Sequence, residues 1–143
     1  MEMKLIARAE ILIEASVQKV WNALTDPEDI KEYMFGTTVV TDWKEGSPIV
    51  WKGEWQGKSY EDKGTILKYE WPTTLQYSHY SPLTGAPDLP ENYHAVTIHL
   101  AELETGVEVV LIQDNNTSEK EKEHSEKNWK TMLEGMKKYV EGK

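Results

Sequence analysis

Trp129-Lys130-Thr131-Met132-Leu133-Glu134-Gly135-Met136-Lys137-Lys138-Tyr139-Val140 is the stretch on which the architecture turns. Trp129, Met132, Leu133, Met136, Tyr139 and Val140 recur at the spacing that sets apolar side chains on one stripe of a helix. Charged residues fill the other faces. Glu123 and Lys127, Glu126 and Lys130, and Glu134 and Lys138 stand in the favourable i,i+4 relation. Ser118 and Glu121 have capping-box spacing and place the start. The spacing predicts one long amphipathic helix at the C-terminal end, with the charge run of residues 119–127 as its solvated first turns.

The rest of the chain must supply what that stripe packs against. From Lys4 to Glu14, Leu5, Ala7, Ala9, Ile11 and Ile13 share one parity, and Lys4, Arg8, Glu10 and Glu14 dominate the other, which is the pattern of a half-buried strand. Arg8 reads as an outer-face charge. Ser16 is placed to cap a short helix whose stripe is Val17, Val20, Trp21 and Leu24, with Trp21 a core anchor. Asp26-Pro27 starts a second short helix running to about Met34 and ended by Gly36. From Thr37 to Asn115 the signals are β: Thr37–Thr41, Pro48–Trp55, Ser59–Tyr69, Thr74–Tyr80, Tyr93–Glu102 and Val107–Asp114, separated by turn residues. Gln56-Gly57-Lys58 and Glu104-Thr105-Gly106 read as hairpin connections. Residues 81–92 hold Pro82, Gly85, Pro87 and Pro90, too much proline for a ladder, and are expected to form a lid or rim. The class is α+β: one antiparallel sheet of about six strands with the long helix as its only large cover. A curved sheet crossed by a helix leaves a natural concave site. An exposed edge strand could pair two chains, so a monomer or a homodimer is expected.

Composition narrows the function classes. The 143 residues suit a single domain spanning 1–143. There is no cysteine, which excludes disulfides, thiolate metal sites and Cys nucleophiles. A net charge of -9 with one arginine argues against nucleic acid and anionic membranes as partners. No leader or membrane-spanning run is read, so a soluble cytoplasmic protein is expected. The aromatic set is unusual: six Trp and seven Tyr against one Phe. Trp and Tyr carry polar atoms that seek partners when buried, so this set suggests an apolar wall that can also hydrogen-bond.

Several segments then match a known pattern in order: Glu14-Ala15-Ser16-Val17-Gln18-Lys19-Val20-Trp21-Asn22-Ala23-Leu24-Thr25-Asp26-Pro27, Asp42-Trp43-Lys44-Glu45-Gly46, Tyr60-Glu61-Asp62-Lys63-Gly64, Leu75-Gln76-Tyr77 and Asn128-Trp129. Over nearly its whole length the chain resembles the START-like, or SRPBCC, superfamily. Within it the chain is similar to the branch named for the activator of heat-shock-protein-90 ATPase homologues. The resemblance implies a helix-grip fold: a curved antiparallel sheet wrapped on a long C-terminal helix, with two short helices after the first strand. It implies a hydrophobic cavity in a superfamily that includes lipid and polyketide binders, cyclases and a cochaperone domain. Fold of itself does not assign function.

The candidate cavity lining follows from parity. Trp51 and Trp55 share a strand face with Ile49 and Gly53, and Gly53 leaves room between them. Tyr60, Tyr77, His79, His94 and Val96 lie on inward parities of the neighbouring strands. Trp129, Met132, Leu133 and Met136 form the helix wall, where Met suits an adaptable apolar site. Asp62, opposite in parity to Glu61 and Lys63, and Asp114 at a strand end are the acids whose burial would matter. The leading expectation is binding of a small hydrophobic molecule, a lipid, a polyketide or another aromatic, with residues 81–92 gating entry. The alternative is a cyclase- or hydrolase-like enzyme using His79 or His94 in acid–base roles. A third reading is a cochaperone-like domain with a chaperone partner. No nucleophile, phosphate-loop or metal-ligand motif is present, and no catalytic residue, metal or cofactor is assigned.

Overall fold

A computed structural model describes residues 5–34, 36–55, 57–82 and 85–142. Alternation in the first segment becomes strand β1 (Leu5–Ile13), with Ala7, Ala9 and Ile13 buried. Arg8 faces outward and pairs with Glu10 at 2.9 Å. Ser16 Oγ accepts from the Lys19 N–H at 3.2 Å and starts α1 (Val17–Thr25). Asp26 Oδ1 accepts from the Glu28 N–H at 2.9 Å and starts α2 (Pro27–Tyr33). Gly36, at a φ of 80° that favours glycine, turns the chain out of that helix.

Six more strands follow: β2 (Thr38–Thr41), β3 (Pro48–Trp55), β4 (Lys58–Glu70), β5 (Thr74–His79), β6 (His94–Leu103) and β7 (Gly106–Asn116). The order across the sheet is β1-β7-β6-β5-β4-β3-β2, and every neighbouring pair is antiparallel. The sheet therefore has seven strands, one for each stretch read as a strand, against the overall count of about six. The last element is α3 (Glu119–Glu141), started by Ser118 Oγ accepting from the Glu121 N–H at 3.1 Å. Among the described residues no helix is long and apolar enough to cross a membrane. Lys4 and Gln56 of the expected strand and hairpin lie outside the described residues.

One sheet face carries the core. Ile49, Ile66, Leu75, Val96, Ile98, Leu100, Val107, Val109 and Leu111 meet Leu133, Met136 and Val140 of α3 and Val20, Trp21 and Leu24 of α1 in one buried cluster. Trp21 is the expected anchor. It stands edge-on to Tyr69, with ring centroids 5.3 Å apart, and to Trp71 at 5.7 Å. A β-bulge between Ile66 and Lys68 returns Tyr69 to the inner face.

The described part of the 81–92 loop lies against the outer face, on the parity of Lys63. Lys63 pairs with Asp88, Asp88 Oδ1 accepts from the Tyr93 hydroxyl at 2.6 Å, and the Tyr93 ring stacks on Tyr80 at 5.3 Å. This corrects the expectation of a gate over the concave face. The prolines keep the loop out of the ladder, and tyrosines of outward parity draw it to the back of the sheet. Leu83 and Thr84 lie outside the described residues.

The free edge of β1 is occupied by side chains of α3. Arg8 N–H donates to Glu126 Oε2 at 2.9 Å, and Lys130 Nζ donates to the Glu10 carbonyl at 2.7 Å. Lys137 Nζ donates to the Leu12 carbonyl at 2.8 Å, and Glu14 N–H donates to Glu141 Oε2 at 2.8 Å. Helix residues 126–141 rise about 22 Å, and strand residues 8–14 extend about 20 Å. The two ladders therefore match. Glu126 and Lys130 are used on β1, so they do not pair with each other as their helical spacing suggested. The β1 edge is closed to a partner strand, and β2 is the short open edge.

Leu133 is fully buried under this clamp. Leu133→Ala is expected to lower stability by about 2–5 kcal/mol, read by urea unfolding. Lys137 and the Glu14 N–H hold the Glu141 carboxyl below the usual carboxylate range. A depressed folded pKa means that its contribution is complete above the unfolded pKa of about 4.3 and is lost as pH falls through the folded value. Wild type is therefore expected to exceed Glu141→Gln in stability at pH 7. The difference should vanish as pH falls below 4, and a pH-independent difference would refute the assignment.

Candidate functional site

Among the described residues two spaces lie between the concave face and the helices. The first is an open cleft of about 250 Å³ beside the N-terminal half of α3, lined by Thr37, Tyr60, Gln113, Ser125, Asn128 and Trp129 together with Met34 and Met132. The second is a void of about 30 Å³ deeper in the core, walled by Tyr33, Trp43, Trp51 and Tyr77 with aliphatic and methionine side chains. Met34 and Met132 line both spaces and so stand between them. Unbranched methionine side chains can repack to join the two.

The cleft wall is held by an amide network. Trp129 Nε1–H donates to Gln113 Oε1 at 2.5 Å, and Gln113 Nε2 donates to Asn116 Oδ1 at 3.4 Å. Ser125 Oγ donates to Asn116 Oδ1 at 3.3 Å, and Asn116 Nδ2 reaches the carbonyls of Leu5 and Gln113, each at 3.0 Å. The network ties the start of α3 to β7 and fixes the Trp129 ring as a wall. Gln113 follows Val107, Val109 and Leu111 on one parity of β7, and a polar residue in a buried run is the sequence signal that could have revealed it.

Tyr60 occupies the space expected beside Gly53. A β-carbon at Gly53 would come within 2.5 Å of the Tyr60 hydroxyl. The ring lies across its strand partner, and its hydroxyl bonds to Thr37 Oγ1 at 2.8 Å. The room left by glycine is therefore filled by tyrosine, and the opening lies on the far side of that ring. The side chain of Trp55 lies outside the described residues.

Further along the concave face Trp51 sits 5.0 Å, centroid to centroid, from both Tyr77 and His79. Burial pushes the phenols of Tyr33 and Tyr77 up, so both stay protonated. Tyr33 donates to the Ala23 carbonyl at 2.7 Å, whereas the Tyr77 hydroxyl has no partner among the described residues. His79 Nε2 lies 2.9 Å from Asp62 Oδ2. Asp62 Oδ1 is buried and is the one buried side-chain polar atom without a partner among the described residues. Of the two acids singled out by position, Asp62 is the one turned inward. Asp114 is spent on the backbone, its Oδ1 accepting from the Ala95 N–H at 2.6 Å. Its carbonyl accepts from His94 Nδ1 at 2.8 Å, which fixes the His94 tautomer. His94 stands directly opposite His79 on the next strand.

The sequence-predicted residues divide accordingly. Tyr60, Trp129 and Met132 border the cleft, and Trp51, Tyr77 and Met132 border the inner void. His79 and His94 lie on the same concave face and border neither space. Val96, Leu133 and Met136 are fully buried in the core and border neither space. Met34, Thr37, Gln113, Ser125 and Asn128 were not anticipated. Among the described residues no three His, Asp or Glu side chains converge as a metal set.

A curved antiparallel sheet gripping a C-terminal helix, with a cleft between them, defines a START-like protein. The chain belongs to the family described as Activator of Hsp90 ATPase homolog 1-like protein, whose model matches residues 14–141. It is similar to ChR145 from Cytophaga hutchinsonii, whose solution structure is 68% identical, covers 99% of this chain and 97% of that one, and superposes with a TM-score of 0.88. The crystal structure of MLL2253 from Mesorhizobium loti shares the fold at 20% identity and a TM-score of 0.78, covering 95% and 96% of the two chains. CalU16 from Micromonospora echinospora is 25% identical with a TM-score of 0.72, covering 97% of this chain and 74% of that one. No curated protein matches the sequence.

Gln113→Ala is expected to strip Trp129 Nε1 of its acceptor and lower stability by about 1–3 kcal/mol. The Trp129 indole N–H resonance should show faster solvent exchange, and unchanged exchange would remove the network from the site.

Proposed function

We propose that the protein binds a small hydrophobic or aromatic molecule between the curved sheet and α3, entering beside Trp129 and Tyr60. The observation that carries this reading is the open cleft of about 250 Å³, with the void of about 30 Å³ behind Met34 and Met132. Drug-sized ligands occupy sites of about 300–1,000 Å³, so the occupant is compact, of the order of two fused rings. Its walls would be aromatic faces and thioethers, with the amides of Gln113 and Asn128 and the hydroxyls of Thr37, Tyr60 and Ser125 at the mouth. The helix-grip architecture supports the same reading, because it leaves a concave face that a single helix does not fill.

The test is a fluorescence titration with the neutral probe N-phenyl-1-naphthylamine. Saturable one-to-one binding is expected for the wild type. Met34→Trp, which fills the junction of the two spaces, is expected to weaken it by about tenfold or more, equivalent to about 1.4 kcal/mol. A chemical-denaturation midpoint close to that of the wild type would show that the fold is retained. No saturable binding by wild type, or equal binding by the variant, would refute the proposal.

A further inference from the structure

We propose that Asp62 and His79 form the polar end of this binding site, and that its ligand is a neutral aromatic alcohol held through its hydroxyl. The proposal rests on the cleft reading above and adds the chemical class of the ligand. Asp62 and His79 occupy inward parities of β4 and β5, on the face that carries Trp51 and Tyr77. His79 Nε2 and Asp62 Oδ2 are 2.9 Å apart. An ionised carboxylate only accepts, so Nε2 is the donor and Nδ1 is the nitrogen turned away from Asp62. Nδ1 has no partner among the described residues and is not among their buried unpartnered atoms. The His79 side chain is 27% exposed against 15% for Asp62. The imidazole is therefore the more accessible member of the pair, with the carboxylate behind it orienting the ring. The edge-on Trp51 ring beside His79 supplies the aromatic contact.

A purely structural role accounts poorly for this pair. A half-buried imidazole–carboxylate hydrogen bond of this kind adds little net stability. Here it also leaves Asp62 Oδ1 buried and unpartnered among the described residues, which costs free energy. Charge decides between ligand classes. Neither the cleft nor the void is lined by lysine or arginine. Glu121 adds a second carboxylate 4.0 Å from His94 Nε2. A ligand carboxylate would meet like charge without a counter-cation, whereas a hydroxyl donates to Nδ1 and brings no charge.

The experiment compares three ligands of one shape, 2-naphthol, 2-methoxynaphthalene and 2-naphthoate, by calorimetric titration at pH 7. Wild type is expected to bind 2-naphthol about tenfold or more tightly than either of the others, although the methyl ether is the more hydrophobic. In the double variant Asp62→Leu/His79→Phe, which removes both polar partners together, the preference for naphthol over the ether should fall to about twofold or less, with affinity for the ether retained. Asp62→Asn/His79→Phe, which keeps the shape of residue 62, gives the same test should the first double variant not fold. Equal binding of naphthol and ether by wild type, tightest binding of naphthoate, or an undiminished preference in the variants would overturn the assignment while leaving the cleft reading intact. Failure of all three ligands to bind would instead refute the cleft reading and this proposal with it.

Discussion

The clamp between α3 and the edge of β1 is the contact on which the rest of the structure depends. A seven-stranded open sheet has two edges and one apolar face to hide, and α3 serves both needs. Its stripe of Leu133, Met136 and Val140 covers the face. Its charged flank, Glu126, Lys130, Lys137 and Glu141, satisfies the outer backbone groups of β1. The agreement in length between about fifteen residues of helix and six of strand lets one straight helix serve the whole edge. Because α3 is held at the β1 edge, it does not lie across the centre of the sheet. The concave surface of β3 to β6 is left to the short helices and to Met132, and the cleft follows from that displacement.

The concave face changes character along its length. Toward the C-terminal half of α3 it is filled by side chains such as Leu133, Met136 and Val140, and among the described residues no buried side-chain polar atom there lacks a partner. Toward the hairpin end of β4 it carries Tyr60, Asp62, His79 and His94, set between the Trp51 ring and the first turns of α3. A core optimised only for stability would not place a carboxylate there, because burying a charged group is costly unless every lone pair is matched. The amide network of Gln113 and Asn116 gives the contrast. It is buried and polar, but it is saturated with partners and behaves as scaffold. The Asp62–His79 pair is the incompletely matched one, and its imidazole lies 5.0 Å from the Trp51 ring.

Much of this was legible in order along the chain. Alternation located β1, the caps at Ser16, Asp26 and Ser118 form the predicted hydrogen bonds, and the stripe from Trp129 to Val140 faces the core. Asp62 could be marked as inward by parity alone, since Glu61 and Lys63 flank it. The partners of these residues were less accessible. That Glu126 and Lys130 would be taken by β1 rather than by each other depends on a strand more than a hundred residues away. That the described part of the 81–92 loop would pack behind the sheet depends on Tyr80 and Tyr93 stacking beside it. The space beside Gly53 looked empty in sequence and holds the ring of Tyr60, which comes from the opposing strand.

The sequence by itself determined the elements, their faces and the class of fold, because hydrophobic period and capping chemistry act over a few residues. Which inward-facing side chains become core and which border an opening was decided only by the tertiary structure. Val96 and Tyr77, or Leu133 and Met132, have equivalent parity or stripe positions, yet one of each pair is packed on all sides and the other meets a space. The difference arises from where α3 is pinned against β1, a long-range constraint that local patterning does not contain. The pairing of Asp62 with His79 has the same origin, since it exists only once the two strands are brought into register.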